Sequence, residues 1–229
     1  MLARVYSSAL DGLTAVPVEV EVAAKQGVPG MTIIGLPDAV IRESKDRIRS
    51  SIFSSPFTFK KKYYVINLAP ADTKKEGAAF DLPIALGMLA SMRYIPRESL
   101  VDTLVVGELS LDGKLRPTHG VLSTMLMGRE RGFKRIVLPR ANADEAALVR
   151  DLVVIPVDTL EQAVLYLQNE FVIDPHVIDV QRLFAVGQDD LPDFSEVKGQ
   201  SQAKRVLEIA SIKKMLLAIY NKIFSWYYS

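Results

Sequence analysis

Lysines and aromatic residues crowd two short stretches of this chain. Lys60-Lys61-Lys62 runs directly into Tyr63-Tyr64, and Lys74-Lys75 follows in the next polar loop. Ammonium groups neutralise phosphates and flat rings accept unstacked bases, so this combination suits single-stranded nucleic acid. Lys60, Lys61, Lys62, Tyr63, Lys74 and Lys75 are the candidate contacts, and single-stranded DNA is the expected partner. The same lysines also suit a solvated strand edge, where charge discourages edge-to-edge aggregation.

Other chemistries find less support. None of the 13 glycines opens a G-x4-G-K-[ST] run, and G-x-G-x-x-G does not occur. The amide cluster that cradles a phosphate is therefore not encoded, and no cofactor is expected for this chain. His119 and His176 lack a histidine at four-residue spacing. Asp72 and Glu76 share their loop with Lys74 and Lys75, a pattern of ion pairs more than of metal ligands. A hydrolytic serine needs a constrained turn and a base. No G-x-S-x-G is present, and neither Ser110 nor Ser123 has a base assigned by its surroundings in sequence. His119, between Thr118 and Gly120, reads as a polar helix entry and not as a catalytic base.

Composition narrows the classes further. Lys and Arg total 28 against 27 Asp and Glu, and a near-neutral sum neither demands nor excludes nucleic acid. The chain has no cysteine, which removes disulfides and thiolate ligands and fits a reducing cytoplasm. No apolar stretch approaches the roughly 18 residues that span a bilayer. A cytoplasmic protein without a membrane partner is expected.

These residues need elements to hold them. Val16 to Ala23 alternates strictly, with Val16, Val18, Val20 and Val22 on one face and Glu19 and Glu21 on the other. Met31 to Ile34 reads as a second strand. Asp38 suits an N-cap for a helix to about Ser54, burying Ile41, Ile48 and Ile52, with Glu43 and Arg47 spaced to pair. A strand from Tyr63 to Leu68 and a central apolar helix from Ala79 to Arg93 follow. Leu104 to Val106 is a buried strand, and Asp112-Gly113 predicts a hairpin turn. Next come a helix (Val121–Arg131), a strand (Arg135–Leu138), a short helix (Ala143–Val149), a strand (Leu152–Ile155) and a helix (Thr159–Gln168). Such alternation argues for an α/β domain over residues 1–170. Residues 171–192 read as a linker, and a helical pattern begins at Ser201.

Three segments carry a family resemblance: Gly35 to Arg49, Asn67 to Ala85, and Val106 to Pro117. Together they closely resemble the amino-terminal domain of the magnesium-chelatase-like AAA+ ATPases of the YifB/ComM type. That domain is similar to the Lon proteolytic domain, which implies a mixed-sheet α/β sandwich of the ribosomal-small-subunit-protein type. The Lon serine would fall in Glu76-Gly77-Ala78-Ala79 and its lysine in Gly120-Val121-Leu122; neither residue is there. The resemblance thus implies a fold kept without its dyad. A residual Lon-like serine peptidase, using Ser110 or Ser123, is the alternative function.

Residues 193–211, from Asp193-Phe194 through Gly199-Gln200 to Ala203-Lys204-Arg205, resemble the entry to the family's AAA+ module. Residues 212–229 depart from it before any Walker A motif, as a truncated or frameshifted tail would. ATP and magnesium are implied for full-length relatives only, as are a hexameric ring and DNA processing in natural transformation. For this chain the resemblance implies a non-catalytic module serving assembly, DNA engagement or both.

Overall fold

The computed structural model describes residues 2–179 and 199–213. The chain divides into two units, the first ending at Ile178 and the second beginning at Asp179. The first is a mixed α/β layer structure around one seven-stranded sheet.

Strands β1 (Leu2–Asp11) and β2 (Thr14–Lys25) form a long antiparallel hairpin with Gly12, at φ 61°, in its turn. Strand β3 (Gly30–Ile34) leads into helix α1 (Ala39–Phe53), which returns the chain to β4 (Tyr63–Ala69), parallel to β3 and antiparallel to β2. Helix α2 (Asp81–Ser91) then crosses to β5 (Thr103–Val105), and a small hairpin, β6 (Glu108–Leu109) with β7 (Leu115–Arg116), projects beyond it. The rest alternates regularly: α3 (Val121–Glu130), β8 (Arg135–Pro139), α4 (Ala143–Ala146), β9 (Val153–Val157) and α5 (Leu160–Leu167). Strand order is β3-β4-β2-β1-β5-β8-β9, antiparallel around β2 and parallel from β1 to β9.

The valine alternation in β2 does what its period requires. Val18, Val20 and Val22 face a core built with Val5, Ile66, Leu68 and the whole of α2, every residue of which is buried. The opposite face of this half-sheet is a polar ladder: Arg4 pairs with Glu19 at 2.8 Å and Glu21 at 3.4 Å, and Asn67 donates to Glu21. Beyond β5 both faces are covered. Leu104, Ile136, Leu138 and Val154 pack under α3 and α4, while Val105, Val137, Ile155 and α5 join the first core.

Helix α2 ends early, at Ser91, because Arg93 turns left-handed at φ 72° and lets Tyr94 N–H reach back to the Leu89 carbonyl. Its start is a 3-10 turn, Ala78–Phe80, followed by Asp81 and Pro83, where a missing N–H costs nothing. The stretch from Phe171 is fastened to the first unit: His176 N–H donates to Val154 O at 2.9 Å, and its ring lies 2.7 Å from Asp144. In the second unit the described part holds one helix, α6 (Ser201–Lys213), at the position where the helical pattern begins. Residues 180–198 and 214–229, with most of the expected linker and tail, lie outside the described residues.

Candidate functional site

Of the two segments that the resemblance to Lon singles out, Glu76 to Ala79 lines a cleft of about 430 Å³ and Gly120 to Leu122 lies beside its lining. Glu76 to Ala79 form one side, and His119 and Thr124, flanking Gly120 to Leu122, form the other. Asp38 organises the first side. Its Oδ1 accepts from Ile41 N–H at 2.8 Å, capping α1, and its Oδ2 accepts from Gly77 N–H at 3.0 Å. The backbone adds a second tie: Asp38 N–H donates to Lys75 O, and Lys75 N–H donates to Leu36 O. Leu36 holds φ 55°, a left-handed conformation costing about 1 kcal/mol without glycine, and those two bonds hold it there. Gly35 before it has no alternative, because a Cβ would sit 2.1 Å from Leu68 O.

No nucleophile in the cleft is paired to a base. Ser8 shares its hydrogen bond with Thr124 at 2.7 Å. Asp38 has both oxygens engaged, Glu76 pairs with Lys74 at 2.5 Å, and Glu108 lies 3.6 Å from Arg116. The serines singled out for a peptidase lie elsewhere. Ser110 sits in the β6–β7 turn, its hydroxyl 2.5 Å from Asp112 and 2.9 Å from Lys114 O. That hydroxyl and Lys114 hold the Asp112 carboxyl far below the usual range. Ser123 donates to Leu13 O at 2.6 Å. The Ser110 hydroxyl is fixed within its own turn, and the Ser123 hydroxyl, on α3, is fixed by the β1–β2 turn. The Gly77 amide is taken by Asp38, and the space a side chain would need at Gly120 is filled by Leu10.

Behind the cleft lies a buried charge that spacing did not reveal. Arg47 does not pair with Glu43; its guanidinium grips Asp81 across 34 residues, at 2.9 and 3.2 Å. Asp81 is 1% exposed and also accepts from Leu109 N–H. Burial pushes its carboxyl up to about 6, with Arg47 and the amide opposing. The pair pins α1 to α2 and to the β6 strand.

The candidate DNA contacts separate. Lys75 is fully buried, its ammonium donating to the Pro70 and Thr73 carbonyls, and burial lowers its pKa. As placed, it cannot reach a phosphate, which corrects the expectation. Lys74 is exposed but paired with Glu76. Lys60 donates to Met92 O at 3.1 Å, and Tyr63 bonds Thr32 through its hydroxyl at 2.6 Å. Lys62 uses its carbonyl to receive Gly30 N–H.

Lys61 alone of the six lines a groove of about 400 Å³, and its companions there are Lys45, Asp46 and Arg49 of α1 with Phe53 and Phe59. The backbone from Pro29 to Met31 closes the other side. Arg49 stands 5.7 Å over the Phe53 ring, and Phe53 and Phe59 lie 5.3 Å apart. The sequence signal for Lys45 and Arg49 was present, as two cations one helical turn apart. What was missing was the fold that sets Phe53, Phe59 and Lys61 beside them.

The family described as subunit ChlI of Mg-chelatase matches residues 20–142. Competence protein ComM of Haemophilus influenzae is 37% identical over 212 residues, 92% of this chain and 41% of the relative. The YifB protein of Escherichia coli is 36% identical over 211 residues, 92% of this chain and 40% of its own. A Lon protease of Chloroflexus aurantiacus is 29% identical over 157 residues, covering 62% of this chain and 18% of the protease. The chain thus spans about two fifths of the ComM and YifB proteins it matches. Since the family model covers more than half of its residues, the chain belongs to the family of subunit ChlI of Mg-chelatase, alongside its ComM-like and YifB-like relatives.

Proposed function

We propose that this chain is a non-catalytic module of a magnesium-chelatase-like protein of the ComM/YifB type, serving DNA engagement and assembly of a larger ring. The groove of Lys45, Arg49 and Lys61 beside two phenylalanine rings carries the DNA part of this reading. Cations supply the sequence-independent attraction to phosphate, and exposed rings supply the surface that bases stack on. The name of the Haemophilus relative, a competence protein, points toward DNA handling for that protein. The non-catalytic part rests on the cleft, where Ser8 is bonded to Thr124, Asp38 has both oxygens engaged, and the unbonded Thr118 hydroxyl has no base paired with it. The assembly part rests on the resemblance to ring-forming AAA+ ATPases alone.

Two measurements on one preparation test it. A fluorescent single-stranded oligonucleotide should bind at low salt, and casein should stay intact over hours. Casein cleavage that disappears with Ser110→Ala or Ser123→Ala would restore the peptidase alternative. Absence of binding at low salt would remove the DNA reading.

A further inference from the structure

The groove is built as a platform with a charged margin. Phe53 closes α1 with 57% of its surface exposed, a large apolar ring left in water. Its neighbour Phe59 stands 5.5 Å from Tyr64, which is fully buried and donates its hydroxyl to Lys60 O. The run Phe53–Phe59–Tyr64 therefore ties the surface ring to the core. Phe53 and Phe59 touch at an interplanar angle of 43°, so nothing slides between them, and a flat ligand must lie on an outer face.

The margin is cationic. Lys45 and Arg49 are one turn apart on α1, and Lys61 reaches in from the segment before β4. Among the described residues no carboxylate holds any of the three. Asp46 is the one carboxylate of the lining and disfavours phosphate at its own position. Opposite, Gly30 keeps the wall thin, since a Cβ there would meet the Tyr63 ring at 3.0 Å.

We infer that this groove is a base-stacking subsite for single-stranded nucleic acid, with an unpaired base on the Phe53 ring and the flanking phosphates on Lys45, Arg49 and Lys61. The inference rests on the DNA-engagement reading above and adds a place and a strand form to it. A base inside a duplex keeps both faces in its own stack, so a duplex gains only the charge.

Fluorescence anisotropy on the full chain tests this with three probes of equal length: an oligothymidylate, an abasic strand and a duplex. Phe53→Leu keeps apolar contact with Phe59 but removes the flat face. It should weaken oligothymidylate binding about tenfold and leave the abasic strand unchanged, and Phe53→Trp should restore affinity. Arg49→Ala should weaken all three probes. Equal affinity for thymidylate and abasic strands, or an unaltered Phe53→Leu protein, overturns the subsite and leaves DNA engagement standing elsewhere on the surface. Failure of all three probes to bind overturns the DNA reading itself.

Discussion

One carboxylate oxygen of Asp38 accepts from Ile41 and the other accepts from Gly77, 39 residues away, at 3.0 Å. A helix cap and a loop anchor are thereby the same side chain. The loop it anchors lines the cleft of about 430 Å³, so one side chain fixes both the start of α1 and one part of that lining.

Asp38→Ala should cost about 2–3 kcal/mol, the sum of a lost cap and a lost bond to a charged acceptor. Asp38→Asn keeps the cap and should cost about half as much. Urea midpoints measure both. Equal losses for the two substitutions would mean that the Gly77 bond, not the cap, dominates.

The Arg47–Asp81 pair makes a pH-dependent prediction. Asp81 is pushed up to about 6 by burial, above the value near 4 of an unfolded carboxylate. Between those values the folded chain holds a proton that the unfolded chain releases, so this group's contribution to stability falls as pH rises through the window. Arg47→Met removes the group that keeps the carboxyl from rising further. It should destabilise by about 3 kcal/mol at pH 8 and by less at pH 5, where Asp81 is protonated. A loss independent of pH would show that packing of the arginine stem, and not its charge, matters.

Lys75 and Lys61 should behave in opposite ways. Lys75→Met strands the Pro70 and Thr73 carbonyls, and should cost about 1–3 kcal/mol of stability without a direct effect on DNA affinity. Lys61→Ala, at a half-open groove, should leave stability within about 0.5 kcal/mol and weaken DNA binding. Thermal melts and anisotropy on both variants separate the roles.

That contrast marks where reading the sequence stops. The β2 alternation, the Asp38 cap, the Asp112-Gly113 turn and the rhythm from α3 to α5 are local, so period and turn chemistry suffice to find them. The sheet order is not local: β1 pairs with β2 beside it in sequence but also with β5, and the switch from antiparallel to parallel falls on that strand. Lysines at 60, 61, 62, 74 and 75 look alike as letters, yet Lys75 is buried, Lys74 is paired, Lys60 donates to a carbonyl, Lys61 faces the groove and Lys62 receives Gly30 through its backbone. Arg47 had a suitable partner at four residues and took one at 34 instead, because a buried carboxylate demands a cation more strongly than an exposed one does. Phe53 and Phe59 are not distinguishable in sequence from core rings, since exposure of a ring is set by the fold.

The salt dependence of single-strand binding tests the central claim most directly. If Lys45, Arg49 and Lys61 hold phosphates in the groove, log affinity should fall with log salt at a slope near −2, roughly fifteenfold weaker at 200 than at 50 mM salt. Casein should remain uncut in the same samples. No binding at 50 mM salt, or binding indifferent to salt, would contradict the account of this chain as a module that engages DNA through a cationic groove.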